Sequence, residues 1–165
     1  MKLYHGSNVP IDAIDLSRCR PNKDFGQGFY LSPDKSAAEK MAYRTVRRFG
    51  GVPHVMAYEF NEDGFIEVAV KRFEKPSVEW AMFVMANRKP NGEESDHNRD
   101  NRYGMVSGPI ANDDLALLFR QFSRGLLTVE MLMREIQFKV LTIQYSFHTP
   151  EAVSALKLME VERVG

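Results

Sequence analysis

The sequence predicts an α+β fold, and three observations predict it. Short stretches of strand composition are scattered along the chain at 3–5, 28–31, 54–60, 65–68, 103–107, 140–147 and 158–164. Between them lie segments with apolar residues at helical spacing, at 32–48, 77–88, 113–123 and 128–137. The two types follow one another without a regular strand–helix–strand alternation and without an internal repeat. The chain has 165 residues, short of the roughly 250–300 at which cores divide, so 1–165 reads as one domain.

In chain order, Leu3-Tyr4-His5 reads as a strand stopped by the turn cluster Gly6-Ser7-Asn8. Residues 9–27 hold Pro10, Pro21 and Gly26 and read as an irregular connection with one helical turn. Gly28–Leu31 is a second strand. Ser32-Pro33-Asp34 then has the form of a helix start, with Ser32 as N-cap and Pro33 at the first helical position. That helix is expected to run to Arg48, to stop at Gly50-Gly51, and to bury Ala38, Met41, Ala42, Thr45 and Phe49. A strand at 54–60, a turn and a strand at 65–68 follow, then a helix at 77–88 spaced through Val78, Met82 and Met85. Residues 89–102 have no aliphatic side chain and read as a solvated surface loop. After a strand at 103–107, Asn112 or Asp113 caps a helix over 113–123, and Thr128 opens another over 128–137. Residues 140–147 form a strand, Thr149-Pro150-Glu151 opens a short helix, and 158–164 closes the chain as a strand.

Composition excludes several classes. With 22 basic and 22 acidic side chains the formal net charge is zero, which argues against bulk attraction to nucleic acid or anionic lipid. Residues 1–60 carry nine Lys/Arg against six Asp/Glu, and residues 61–165 carry thirteen against sixteen. An anionic small ligand is therefore sought first near the N-terminal third. The lone Cys19 excludes an internal disulfide framework. No apolar run approaches the roughly 20 residues that span a bilayer, and residues 1–6 lack the apolar core of a signal peptide. A cytoplasmic location without membrane attachment is the expectation. His5, His54, His97 and His148 show no i, i+4 ligand spacing, and Asp113-Asp114 point apart as sequence neighbours, so no metal is expected.

Three patches can carry chemistry, and each has a plainer reading. His5-Gly6-Ser7 can expose an imidazole beside a glycine that admits a ligand, or be a half-buried histidine at a strand end. In Asp24-Phe25-Gly26-Gln27-Gly28-Phe29-Tyr30-Leu31, the two glycines permit a tight turn against a planar ligand, and Tyr30 either stacks on that ligand or joins the core. The segment is neither a dinucleotide fingerprint nor a P-loop, because the third glycine and the Gly-Lys-Ser/Thr ending are absent. In the strand 142–148, alternation puts Ile143, Tyr145 and Phe147 on one face and Thr142, Gln144, Ser146 and His148 on the other. The plain expectation for that polar face is solvent; the alternative is a polar cleft.

Together the patches resemble the donor site of poly-ADP-ribose polymerases. There the pattern is His-Gly-Ser, then Phe-Gly-Lys-Gly-Ile-Tyr-Phe, then a helix with Lys-Ser-Ala and a tyrosine. Here His5-Gly6-Ser7, Phe25–Leu31, Lys35-Ser36-Ala37 and Tyr43 take those places. The wider group is the His-Tyr-Glu class of ADP-ribosyltransferases, which includes diphtheria toxin. The whole chain is more similar still to a small bacterial family described as domain of unknown function 3990. That family shows Leu-Tyr-His-Gly-Ser, Asp-Phe-Gly-x-Gly-Phe-Tyr, Gly-Pro-x-Ala-Asn-Asp and a late Gln-x-x-Phe, matched at 3–7, 24–30, 108–113 and 144–147.

The resemblance implies an ADP-ribosyltransferase-like fold, with two small, mostly antiparallel sheets forming an NAD cleft between flanking helices. It implies NAD as co-substrate and catalytic roles for His5, Tyr30 and Gln144. His5 would bond the adenosine-side ribose, the Gly6 backbone would hold the nicotinamide carboxamide with Ser7 assisting, and Gly28 would line the site. Tyr30 would stack on nicotinamide, helped by Tyr43, and Arg20, or its neighbours Arg18 and Lys23, would pair with the pyrophosphate. Gln144 stands where the class carries its catalytic glutamate, and it can accept and donate hydrogen bonds but carries no charge. The implied function is mono-ADP-ribosylation of an intracellular acceptor, protein rather than nucleic acid, by a bacterial toxin or defence effector with a small antitoxin partner. A catalytically weak NAD or ADP-ribose binding module, an NAD glycohydrolase and transfer to an RNA 2′-phosphate stay open as alternatives.

Overall fold

A computed structural model describes residues 1–88 and 96–165. Seven strands and five α-helices are formed among them: β1 Lys2–Ser7, β2 Phe29–Leu31, α1 Lys35–Phe49, β3 His54–Phe60, β4 Val70–Arg72, α2 Val78–Arg88, β5 Met105–Pro109, α3 Asp113–Ser123, α4 Val129–Ile136, β6 Ile143–Phe147, α5 Pro150–Val153 and β7 Leu156–Arg163. The predicted α+β class is the observed one. One sheet has the order β1-β3-β7, the other β2-β6-β5-β4, and every pairing is antiparallel except β4 with β5.

The two sheets pack face to face, because each strand alternates its side chains. Leu3, Met56, Tyr58 and Phe60 of the first sheet meet Phe29, Leu31, Met105 and Phe147 of the second. The outer face of the first sheet carries Tyr4 and Val55 against Ala38 and Ala42 of α1. The far face of the second sheet carries Val106 into a larger core with Phe25, Phe73, Trp80, Phe83, Leu115, Phe119, Leu132 and Ile136. That core is roofed by α2, α3 and α4. Trp80, fully buried, places its indole N–H 3.0 Å from the Pro109 carbonyl.

Several elements differ from the sequence expectation for identifiable reasons. Gly6 and Ser7 lie inside β1 and do not turn the chain. At Gly6 a Cβ would come within 1.9 Å of the Ala38 carbonyl oxygen, so α1 rests on the bare backbone of β1. That contact admits only small residues, which is why Ala38 and Ala42 are buried while Met41 and Phe49 are exposed and Thr45 is half-buried. The N-cap of α1 is Asp34, whose carboxylate accepts from the Ser36 N–H. Ser32 is recruited instead into a bridge with Tyr4, and Pro33 precedes the cap. The strand expected at 65–68 is not formed. Ile66 is 93% exposed, and β4 begins later, where Val70 finds Met105 as a partner. The strand expected at 103–107 is shifted to Met105–Pro109, and β6 begins at Ile143, leaving Val140 in solvent.

Of the polar stretch 89–102, residues 89–95 lie outside the described residues. The remainder is not a solvated loop throughout: Asn98 is fully buried. Its side chain donates to the carbonyls of Phe25 and Tyr103 and accepts from the Tyr103 N–H, while its own N–H donates to Asn87. The expected N-caps Asn112, Thr128 and Thr149 all accept the first-turn N–H bonds of α3, α4 and α5. No helix among the described residues is long and apolar enough to cross a membrane.

Candidate functional site

The site is built where the two sheets part. Tyr4 of β1 and Ser32, just after β2, exchange two backbone hydrogen bonds at 2.8 Å each. In an antiparallel ladder the next such rung lies two residues on, and it would join Gly6 to Tyr30. That rung is not formed. The Tyr30 carbonyl oxygen instead accepts a 2.7 Å hydrogen bond from His5 Nδ1, and among the described residues β1 and β2 are bridged at Tyr4 and Ser32 but not at Gly6. The same alternation turns both Gly6 groups away from β3 and toward β2. A donor and an acceptor that no rung to β2 takes up therefore stand side by side on the edge of β1, with Tyr30 across from them.

His5 is the wedge that keeps the strands apart. Its ring stacks on Phe29, with centroids 4.2 Å apart. Burial of the imidazole lowers its pKa to about 4, so it is neutral near pH 7. Since the Tyr30 carbonyl can only accept, the proton sits on Nδ1 and Nε2 is left as an acceptor. Ser7, on the same face of β1 as His5, is buried and its Oγ accepts from the Val9 N–H at 3.3 Å.

Tyr30 is fixed at both ends. Its hydroxyl donates to the Gly26 carbonyl at 2.7 Å and accepts from the Phe25 N–H at 2.9 Å. Burial raises the phenol pKa well above its usual value. The Lys23 ammonium lies 5.0 Å from the ring centroid, and burial of that ammonium lowers its pKa. Arg20 instead sets its guanidinium 4.5 Å from the centroid of Phe49 at the end of α1. Of the three cations named from the sequence, Lys23 is the one placed on Tyr30. Tyr43, partly exposed on α1, lies toward Gly165, where a Cβ would come within 2.7 Å of its hydroxyl. The structure does not bring Tyr43 to Tyr30.

The polar face of β6 is not solvated. Gln144, Ser146 and His148 are all buried, and Thr142 alone of that row is exposed. Register places Tyr30 opposite Ser146, so Gln144 lies on the same face as Tyr30. His148, whose burial lowers its pKa to about 4, is a neutral ring. Its Nδ1–H donates to the Gln27 carbonyl at 2.9 Å and its Nε2 accepts from Ser146 Oγ at 2.7 Å. Gly28 borders this ring: a Cβ there would fall 2.4 Å from His148 Nδ1. The missing side chain at Gly28 makes room for His148, and the positive φ of Gly26, 97°, sets its turn against Asn98.

Gln144 Nε2 donates to Asp24 Oδ2 at 3.1 Å, and Arg88 holds the other oxygen of that carboxylate through two bonds. Sequence reasoning gave neither Asp24 nor Arg88 a role. Asp24 opens the glycine-containing motif, which was a usable signal. Arg88 ends α2, 64 residues away, and nothing in the sequence ties the two together.

The family model described as "Protein of unknown function (DUF3990)" matches residues 1–158. The chain belongs to this family. Neither a curated protein nor a solved structure matches it. The site of this DUF3990 member thus combines an unpaired strand edge at Gly6, a wedged neutral His5, a Tyr30 that already holds a cation, and a buried amide at Gln144.

Proposed function

We propose that this chain is an NAD-dependent mono-ADP-ribosyltransferase with the ADP-ribosyltransferase-like fold, acting as a bacterial toxin or defence effector held in check by a small antitoxin. The observation that carries the reading is the missing rung between Gly6 and Tyr30. A primary carboxamide presents one donor and one acceptor side by side, which is what a neighbouring strand would have presented to Gly6. The nicotinamide group of NAD has such a carboxamide. The Tyr30 face already draws one cation, the Lys23 ammonium at 5.0 Å from its centroid, and the cationic nicotinamide ring would take that ammonium's place on the same π-face.

In the reaction the bond between nicotinamide and ribose C1 breaks, its electron pair leaving with neutral nicotinamide. The acceptor nucleophile bonds to C1 and gives its proton to solvent. His5, neutral with a free Nε2, accepts from a ribose hydroxyl. Gln144 supplies a hydrogen-bond acceptor, without charge, beside the electron-poor ribose. Orientation therefore carries more of the acceleration than charge does, which fits transfer of a single ADP-ribose better than elongation of a polymer. The acceptor is taken to be a protein.

Incubation with labelled NAD and a bacterial lysate tests the reading. Label on a protein band supports it; free ADP-ribose without transfer makes the chain a glycohydrolase, and binding without nicotinamide release makes it a binding module. Expression of the wild type should arrest growth and expression of His5→Ala should not.

A further inference from the structure

Asp24 accepts from four donors that converge from separate parts of the chain. Its Oδ1 takes Arg88 Nε at 3.0 Å and Arg88 Nη2 at 2.6 Å. Its Oδ2 takes the Ala111 N–H at 3.2 Å and Gln144 Nε2 at 3.1 Å. The carboxylate is 13% exposed, and Gln144 is 9% exposed. A carboxylate only accepts, so the end of Gln144 that faces it is the NH2 group. Rotating the amide by half a turn would set two unprotonated oxygens against each other. Gln144 Oε1 has no hydrogen bond among the described residues, and it is not sealed from solvent.

We infer that Asp24 is a positioning residue, which locks the Gln144 amide so that its carbonyl oxygen is the end presented to the nicotinamide ribose. The inference rests on the NAD-using reading above. It also accounts physically for glutamine at 144. A glutamate there would put a second carboxylate about 3 Å from Asp24, and paired carboxylates so close do not both ionise. The native pair, Asp24 with Gln144, holds one negative charge and one donated hydrogen bond. Exchanging both groups at once, by Asp24→Asn together with Gln144→Glu, keeps the same charge and swaps donor for acceptor between the two side chains, at the cost of the Ala111 N–H bond, which an amide nitrogen at that position cannot accept. The doubly exchanged protein would again present an acceptor oxygen to the ribose.

The experiment is a three-variant set: Asp24→Asn, Gln144→Glu, and both together, each checked for folding by thermal melting. Nicotinamide release from NAD gives kcat, and titration with NAD gives affinity. Each single variant is expected to lose about 100-fold in kcat, the scale of a misplaced catalytic group, with NAD affinity within a few-fold of wild type. The double variant is expected to regain at least tenfold over either single. A purely structural carboxylate would give no such recovery, so folded variants whose losses simply add overturn the inference. If Asp24→Asn does not fold, proton exchange of the 15N-labelled Gln144 side-chain amide in the wild type decides: exchange at least tenfold slower than that of exposed Gln137 supports the lock, and equal exchange overturns it. A wild type inert toward NAD would instead sink the functional reading and the ribose-facing role with it, while the exchange measurement still reports the lock itself.

Discussion

Gly28 and His148 share one space. A Cβ on Gly28 would lie 2.4 Å from His148 Nδ1 and 2.7 Å from the Phe147 carbonyl oxygen, while the imidazole bonds Gln27 and Ser146. The glycine is therefore explained mainly by a neighbouring side chain, with one carbonyl oxygen beside it. Gly6 is explained by a neighbouring backbone, since its Cβ would meet Ala38 O at 1.9 Å.

These two contacts predict different penalties. Gly28→Ala pushes against the His148 ring and one carbonyl oxygen, and it should cost about 1–3 kcal/mol, the usual scale of overpacking. Gly6→Ala pushes against the helix backbone itself and should cost more than that, with α1 lifted from β1. Urea unfolding measures both. A Gly6→Ala protein as stable as wild type would mean that α1 does not rest on β1 as described. The combined Gly28→Ala, His148→Ala protein should lose less than the sum of the single losses, because the two groups compete for one volume.

The buried His148 sets a pH dependence. An unfolded histidine titrates near 6.5, and the folded one is lowered to about 4 by burial. Between those values the unfolded chain binds a proton that the folded chain does not, so stability falls as pH drops through that window. Above pH 6.5 the contribution is fully present; by about pH 4 roughly 3 kcal/mol should be gone. His5, lowered for the same reason, adds to the slope. Urea midpoints at pH 7.5 and 4.5 should fall less in His148→Gln than in wild type, and identical pH slopes would rule out the burial effect at this residue.

Much of this architecture is legible in local chemistry. Caps at Asn112, Thr128 and Thr149 are read from residue type because the cap bond is made within three residues. The strand at 54–60 is likewise present as expected. What the sequence conceals is anything decided at long range. Ser32 suits an N-cap, yet the Tyr4 backbone takes it for a bridge and leaves the cap to Asp34. The alternation of β6 separates polar from apolar residues correctly, but which face meets solvent depends on α2, α3 and α4, which cover it. Motif residues His5, Gly6 and Tyr30 are brought together, whereas Tyr43 turns toward Gly165 and Asp24 finds a partner 120 residues on in Gln144.

Tyr30 offers a separation of ring from hydroxyl. Tyr30→Phe removes the group that pairs with both the Phe25 N–H and the Gly26 carbonyl, leaving two backbone groups without partners. A loss of about 1–3 kcal/mol in stability is expected, with NAD affinity within a few-fold because the aromatic face persists. Tyr30→Ala removes the face and should weaken NAD binding by roughly tenfold, the scale of one aromatic contact. Calorimetric titration with NAD gives the comparison. Should the phenylalanine variant, still folded, lose as much affinity as the alanine variant, stacking on this ring is the wrong account.

Gln144 is buried, yet its open oxygen is the group the proposed reaction uses. Gln144→Ala should lower kcat for nicotinamide release by about 100-fold while changing NAD affinity little, since an acceptor beside the ribose matters most when positive charge has developed there. The Asp24 carboxylate then loses one of its four donors but keeps Arg88 and the Ala111 N–H, so the fold should survive with a loss of about 1 kcal/mol. Single-turnover release and equilibrium binding separate the two effects. Equal losses in rate and affinity would mean that Gln144 only helps to hold NAD, and the acceleration would have to come from His5, the Gly6 edge and Tyr30 alone.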